Sequence, residues 1–253
     1  MNIISVSHID NRIENGYNFD SGKYFSKGFE LFKKDLGNFL LVELLIILIS
    51  GIPVIGWVMP VNALRICKKV DDGQKNNLID DLFQFDKIGD IIVYFLIVFV
   101  GMFAILIPIY ILGIAGVFGA AFLTEQSGDE TGAIMPVVMI VVGILFFLLL
   151  IFLMIAFTSY LFFTMPLLAF SSLDSMTIFK KSYKLVKKQF WKITFFNFIC
   201  ISIMIIGVLA CYVGMFFTFP IARCMMYEAY KDVLFPEDEM YSEINSIGLE
   251  VES

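Results

Sequence analysis

Glu43 is the one acidic side chain within the apolar stretches of this chain, which cover residues 38–64, 91–123, 134–170 and 193–222. An ionisable group inside a bilayer is costly and is a functional candidate by default. In an alignment of two similar segments, described below, Asn197 takes the position of Glu43. The two side chains could therefore converge on a pseudo-twofold axis and bind a polar ligand. Alternatively, Glu43 lies near the cytoplasmic end of its helix, or it pairs with Lys33, Lys34 or Arg65.

Two arginines and two lysine pairs are the other candidates for ligand contacts. Arg65 and Arg223 each follow a proline at the end of an apolar stretch. A guanidinium suits bidentate contact with a lipid phosphate, although anchoring of a helix end explains these residues equally well. The interfacial basic candidates, which lie in two similar amphipathic segments, are Lys33, Lys34, Lys187 and Lys188.

Residues that would support enzyme chemistry are not grouped in this sequence. No nucleophile–base pair, carboxylate cluster or metal-ligand spacing is evident, and His8 is the only histidine. None of the four cysteines forms a C-x-x-C pair, so neither a zinc site nor a disulfide framework is indicated. We therefore expect a protein that is not an enzyme and that has no cofactor, no metal and no nucleic-acid partner.

Composition indicates an all-α polytopic transmembrane helical bundle. The 253 residues are 59% hydrophobic and 17% charged, whereas soluble domains are about half apolar and about a quarter charged. Each of the four apolar stretches lacks Lys and Arg and exceeds the ~20 residues that a spanning helix needs. The runs are continuous rather than alternating, which argues against a β-barrel.

The positions of Lys and Arg predict about six membrane segments, with the N- and C-termini in the cytoplasm of a multi-pass inner-membrane protein. Basic residues occupy the segments between the apolar stretches, except for the loop 124–133, which we place outside. The runs 38–64 and 193–222 must then return on the side they enter, as hairpins. Glycine and proline would permit the bends, and the residues assigned to them are Gly51, Pro53, Gly56, Gly207 and Gly214.

The two hairpins belong to a duplicated unit. "FSKGFELFKKDLGNFLLVE" (25–43) aligns without a gap with "FKKSYKLVKKQFWKITFFN" (179–197), and the aromatic and aliphatic spacing is that of one helix face. Each copy would be a basic amphipathic helix in the interface followed by a hairpin. The predicted organisation is a polar cytoplasmic lead (1–22), one transmembrane domain (23–233) with repeat one (25–66), central crossings (91–123 and 134–170) and repeat two (179–232), and an acidic flexible tail (234–253).

Five motifs carry a family resemblance, and they are "GFELFKKDLGNF", "GIPVIGWVMPVNALR", "DDLFQF", "SYKLVKKQFWK" and "FPIARCMMYEAY". Their order resembles bacterial membrane families without assigned activity, in particular the polytopic domain fused to some glycerophosphodiester phosphodiesterases. The resemblance covers most of residues 24–233. It implies a helical inner-membrane module concerned with lipids or the envelope, and it does not carry over the phosphodiesterase activity.

These observations predict a non-enzymatic integral membrane protein that interacts with membrane lipids or acts as an accessory or scaffold protein of the cell envelope. The alternative is a transporter or channel for small molecules or lipids, using the pseudo-symmetric centre near Glu43 and Asn197. A membrane or cytoplasmic protein partner could bind the segment 71–85 or the acidic tail. The sequence does not specify an oligomeric state.

Overall fold

The computed structural model describes residues 6–74, 78–126, 134–210 and 212–235, which form helices joined by short turns. In chain order the helices are α1 (Val6–Asn15), α2 (Ser21–Lys34), α3 (Leu36–Ile49), α4 (Ile55–Asp71), α5 (Leu78–Leu82), α6 (Ile88–Gln126), α7 (Ile134–Tyr160), α8 (Thr164–Phe170), α9 (Ser175–Lys188), α10 (Phe190–Leu209) and α11 (Met215–Leu234). These ranges contain no strand, so the predicted all-α class is confirmed. Residues 127–133 of the predicted external loop and residues 236–253 of the predicted acidic tail lie outside them.

Within the described residues, three helical stretches are long and apolar enough to cross a membrane. They are Ile88–Gly116, Val138–Phe170 and Phe190–Leu209, with 29, 33 and 20 residues, against the ~20 needed to span the hydrocarbon core. The side chains of α7 show why lipid is the fitting solvent, because Ile140, Leu145 and Phe147 are more than half exposed. A helix that is apolar all round and is not covered by protein is typical of a membrane span. The chain is therefore a membrane-embedded protein.

Two groups of three helices have the same order of features. In each group a 14-residue amphipathic helix (α2 or α9) is separated by one residue from an apolar helix (α3 or α10). A short turn then leads to a helix that contains a proline at its sixth position, Pro60 in α4 and Pro220 in α11. Both amphipathic helices begin at an aspartate N-cap, and the Asp20 and Asp174 carboxylates each accept a hydrogen bond from a backbone N–H of the first turn.

The turns between the apolar helices lie close to the predicted bends but use the glycines differently. Residues with left-handed backbone are Val54 (φ 70°) and Tyr212 (φ 62°) rather than glycines. Gly56, already inside α4, permits close approach, because a Cβ there would lie 2.8 Å from the Ser50 Cα. Gly51 and Pro53 do lie within the first turn.

In the second hairpin, Gly207 lies inside α10 and not in the bend. It faces Thr218 of α11, and a side chain at this position would collide with that threonine. Gly214 is the N-cap of α11, and a Cβ there would lie 2.6 Å from the Gly207 carbonyl oxygen. Gly207 was predicted to form part of the bend, but it lies within α10, where its small size lets the two helices pack together.

The described chain divides into two compact units. One unit, Phe95–Thr158, contains parts of α6 and α7, and within it Gly101 faces the Phe157 ring, where a Cβ would lie 2.6 Å from the ring's Cε2. The other unit is formed by Met1–Tyr94 and Ser159–Ser253 and holds the other helices. In its core, α2 packs along α11, and the Cys67 and Cys224 sulfurs of α4 and α11 are 3.8 Å apart.

The N-terminal lead contributes to this core, which the sequence analysis did not predict. Residues 6–15 form helix α1, which packs on α9. Ile9 is fully buried, the Tyr17 hydroxyl donates to the Leu185 carbonyl oxygen at 2.7 Å, and Phe19 packs edge-on against Phe196. Ile9, Tyr17 and Phe19 of the N-terminal lead thus hold α9 against the rest of the unit.

We expect Gly28→Ala to lower the melting temperature of the detergent-solubilised protein. Gly28 of α2 faces the α11 backbone, and a Cβ there would lie 2.7 Å from the Met225 Cα. Overpacking of this kind costs about 1–3 kcal/mol, whereas alanine gains up to about 1 kcal/mol in helix propensity. Gly37→Ala in α3 is the control, because nothing lies within 4 Å of its Cβ position. A Gly28→Ala protein as stable as the Gly37→Ala protein would contradict the close packing of α2 and α11.

Candidate functional site

Glu43 forms a buried ion pair with Arg223. The Glu43 side chain is fully buried in α3, and its two carboxylate oxygens accept hydrogen bonds from the two terminal nitrogens of Arg223 in α11. The Nη2–Oε1 distance is 3.3 Å. This bidentate geometry compensates a carboxylate that has lost its water. The sequence suggested pairing with Lys33, Lys34 or Arg65, and this suggestion was wrong, because the cation comes from the distant α11.

Arg65 is fully engaged by other protein groups. Its Nε donates to the Ala169 carbonyl oxygen at 3.1 Å, and Nη1 donates to Gln84 at 2.7 Å. The two terminal nitrogens also contact the two Asp86 carboxylate oxygens, each at 3.0 Å. The Asp86 pKa is lowered chiefly by its hydrogen bond from Arg65. Arg65 thus fastens α4 to α8 and to the segment after α5.

The different partners of the two arginines follow from their positions along the helix. Arg65 is five residues beyond Pro60, and Arg223 is three residues beyond Pro220. When the prolines are matched, the two arginines differ by two residues, which is about 200° around a helix. They therefore project from nearly opposite faces, and a match between the two prolines does not give the two arginines equivalent surroundings.

Asn197 of α10 is buried, and its Nδ2 donates to the Ser159 hydroxyl at 3.1 Å. Glu43, its counterpart in the alignment, contacts Arg223 instead. The hydrogen bonds described for Asn197 and Glu43 thus involve different partners. Their convergence on a shared ligand stays a prediction.

Three of the four lysines predicted to be interfacial are exposed and unpaired within the described residues. They are Lys33, whose ammonium lies 4.4 Å from the centre of the Phe29 ring, and Lys187 and Lys188 at the end of α9. Lys34 is also exposed, but it forms an ion pair with Asp71 at 3.1 Å. Burial would raise the Asp71 pKa, yet hydrogen bonds from Lys231 and Lys34 lower it below its ordinary value.

Sequence reasoning missed the side chains that accept hydrogen bonds from the arginines, the lysines and Asn197. Asp86, Gln84 and Asp71 bind cations, and Ser159 binds Asn197. Gln84 lies in the motif "DDLFQF", which was considered as a mark of family resemblance and as part of a partner surface, but not as a source of ligands for Arg65. The described residues contain no group of three His, Cys, Asp or Glu side chains that could hold a metal ion.

We expect Glu43→Leu and Arg223→Met each to destabilise the protein strongly and the double variant to regain most of the loss. Removing one member of a buried pair costs about 3–5 kcal/mol, whereas replacing both by apolar residues can be neutral. The measurement is a double-mutant cycle of thermal unfolding in detergent. Combining Glu43→Leu with Arg65→Met is the control, and its effects should add. Additive effects for Glu43 and Arg223 would contradict the pairing.

The chain matches no protein-family model, no curated protein and no solved structure. Its resemblance to membrane domains of glycerophosphodiester phosphodiesterases accordingly stays a prediction.

Proposed function

We propose that this chain is a non-enzymatic, multi-pass protein of the inner membrane whose task involves contact with anionic membrane lipids. The observation that carries the proposal is the surface of α9. Within the described residues, four exposed lysines of this helix form neither an ion pair nor a hydrogen bond, namely Lys180, Lys184, Lys187 and Lys188. We call them the α9 lysines.

Exposed aromatic and apolar side chains accompany the α9 lysines. Tyr183 is 48% exposed, Met176 is 60% exposed, and Trp191 at the start of α10 is 71% exposed. Large amphipathic rings beside cations are characteristic of the membrane interface. In α2, Phe25 and Phe29 are exposed next to Lys33 in the same manner. Both amphipathic helices thus have the side chains needed to contact acyl chains and headgroups together.

The exposed tips of the hairpins support a topology in which both hairpins dip into the bilayer from the cytoplasmic side. Leu48 and Ile52 are at least half exposed at the first turn, and Leu209 and Val213 are exposed at the second. No charged residue occurs in either turn. In this proposal the two crossings α6 and α7 bring the total to six segments, and both termini lie in the cytoplasm.

A duplication of the helix–hairpin unit is part of the proposal. It is supported by the equal length of α2 and α9, their aspartate N-caps, the one-residue breaks that follow and the prolines at matched positions. The transporter alternative draws less support from the geometry. Both oxygens of Glu43 are occupied by Arg223, and Asn197 is bonded to Ser159.

We expect anionic lipid to stabilise the protein through the α9 lysines. Each lysine near an anionic surface contributes about 1 kcal/mol, and a ligand that binds the folded state raises the melting temperature. Phosphatidylglycerol should therefore raise the melting temperature of the detergent-solubilised protein more than phosphatidylcholine does. Lys180→Gln/Lys184→Gln/Lys187→Gln/Lys188→Gln should remove this difference, and native mass spectrometry should show fewer bound anionic lipids.

The matched control changes the same four lysines to arginine, which keeps the charge and should keep the preference. If the glutamine variant retained the wild-type preference for phosphatidylglycerol, lipid contact through α9 would be refuted. Co-purification of a stoichiometric protein without a lipid preference would favour the accessory role instead.

A further inference from the structure

A cavity of about 650 Å³ lies at the polar ends of α4 and α11, where α8 also contributes. We call it the basic cavity, and the residues of its wall that matter here are Lys68, Lys69, Lys231, Phe170, Tyr230 and Phe235. Its volume falls within the ~300–1,000 Å³ typical of small-molecule sites. It is built by different residues from both the buried pair and the α9 lysines.

One side of the basic cavity carries a cation that the protein leaves uncompensated. Lys69 pairs with Asp81, and Lys231 pairs with Asp71 at 2.7 Å. Lys68, on the same turn of α4 as Lys69, forms no ion pair or hydrogen bond within the described part of the chain. The wall holds four basic side chains, those of Arg65, Lys68, Lys69 and Lys231, against the two carboxylates of Asp72 and Asp81. An anion that enters the cavity would therefore meet a net positive charge and the free ammonium group of Lys68.

Another part of the wall is aromatic. The rings of Phe170 and Tyr230 are stacked with their centres 5.1 Å apart, and Phe235 meets Tyr230 edge-on at 6.3 Å. Tyr230 is 2% exposed, yet its hydroxyl has no hydrogen-bond partner among the described residues. Burial raises the pKa of Tyr230 well above its ordinary value, so the hydroxyl keeps its proton.

We propose that the basic cavity binds one phosphate ester with an apolar or aromatic body. The phosphate lies at Lys68, and the body packs on the aromatic part of the wall, which Phe170, Tyr230 and Phe235 form. A phospholipid headgroup or a soluble nucleotide could supply this chemistry. The inference goes beyond the proposed function, because a single enclosed molecule differs from a layer of lipids along α9.

The test is calorimetric titration of the full chain in detergent with dihexanoyl phosphatidic acid, adenosine monophosphate and inorganic phosphate. One of the two esters should bind saturably with a stoichiometry of one. Lys68→Gln should weaken that binding at least tenfold, and Lys68→Arg should keep it within about threefold because the charge remains. Lys192→Gln, which removes an exposed lysine outside both the cavity and the α9 lysines, should bind as the wild type does.

Binding of phosphatidic acid alone would identify a lipid, and binding of adenosine monophosphate alone would identify a soluble ligand. The proposal is overturned if neither ester binds saturably, if Lys68→Gln binds like the wild type, or if inorganic phosphate binds as tightly as the esters. The variant that lacks the four α9 charges should still bind the ester, so failure of the α9 proposal and failure of this one can be told apart.

Discussion

A carboxylate buried among apolar helices requires a cation, and the contact between Glu43 and Arg223 meets this requirement. Desolvation of either charge alone costs several kcal/mol, whereas a bidentate pair offsets much of that loss. The pair links α3 to α11, two helices that belong to opposite ends of the chain. Helix α2 also packs along α11, and Gly28 allows the two backbones to approach each other. The position of the first hairpin in its unit thus depends on residues of the second.

The two arginines show how similar sequences can produce different environments. Arg65 and Arg223 both follow a helix proline, but a difference of two residues rotates them to nearly opposite faces. Arg65 consequently meets Asp86, Gln84 and a backbone carbonyl, while Arg223 meets Glu43. A proposed duplication of the backbone therefore does not require duplicated contacts. Both guanidinium groups are engaged within the protein. Neither is therefore available as the lipid-phosphate site that the sequence suggested.

Local features were predictable from the sequence, and long-range ones were not. Periodicity and charge indicated the amphipathic helices α2 and α9. The choice of Arg223 as the partner of Glu43 depends on how helices pack, and no pattern along the chain encodes it. The same applies to the basic cavity, whose lysines and aromatic residues come from separate helices. The left-handed backbone at Val54 and Tyr212 contradicts residue preference, so tertiary structure rather than propensity determines it.

The distance along the chain between Glu43 and Arg223 has a consequence for biosynthesis. The two residues are 180 positions apart, and translation at about 5–20 residues per second delivers the arginine about 9–36 s after the carboxylate. During this interval the first hairpin is already made, but its native counter-ion does not yet exist. Water, lipid headgroups or an insertion factor must accommodate the carboxylate until α11 is synthesised. The N-terminal half of this unit therefore cannot reach its final packing while it is being translated. It does so only after α11, which supplies the counter-ion of Glu43 in α3, has been synthesised.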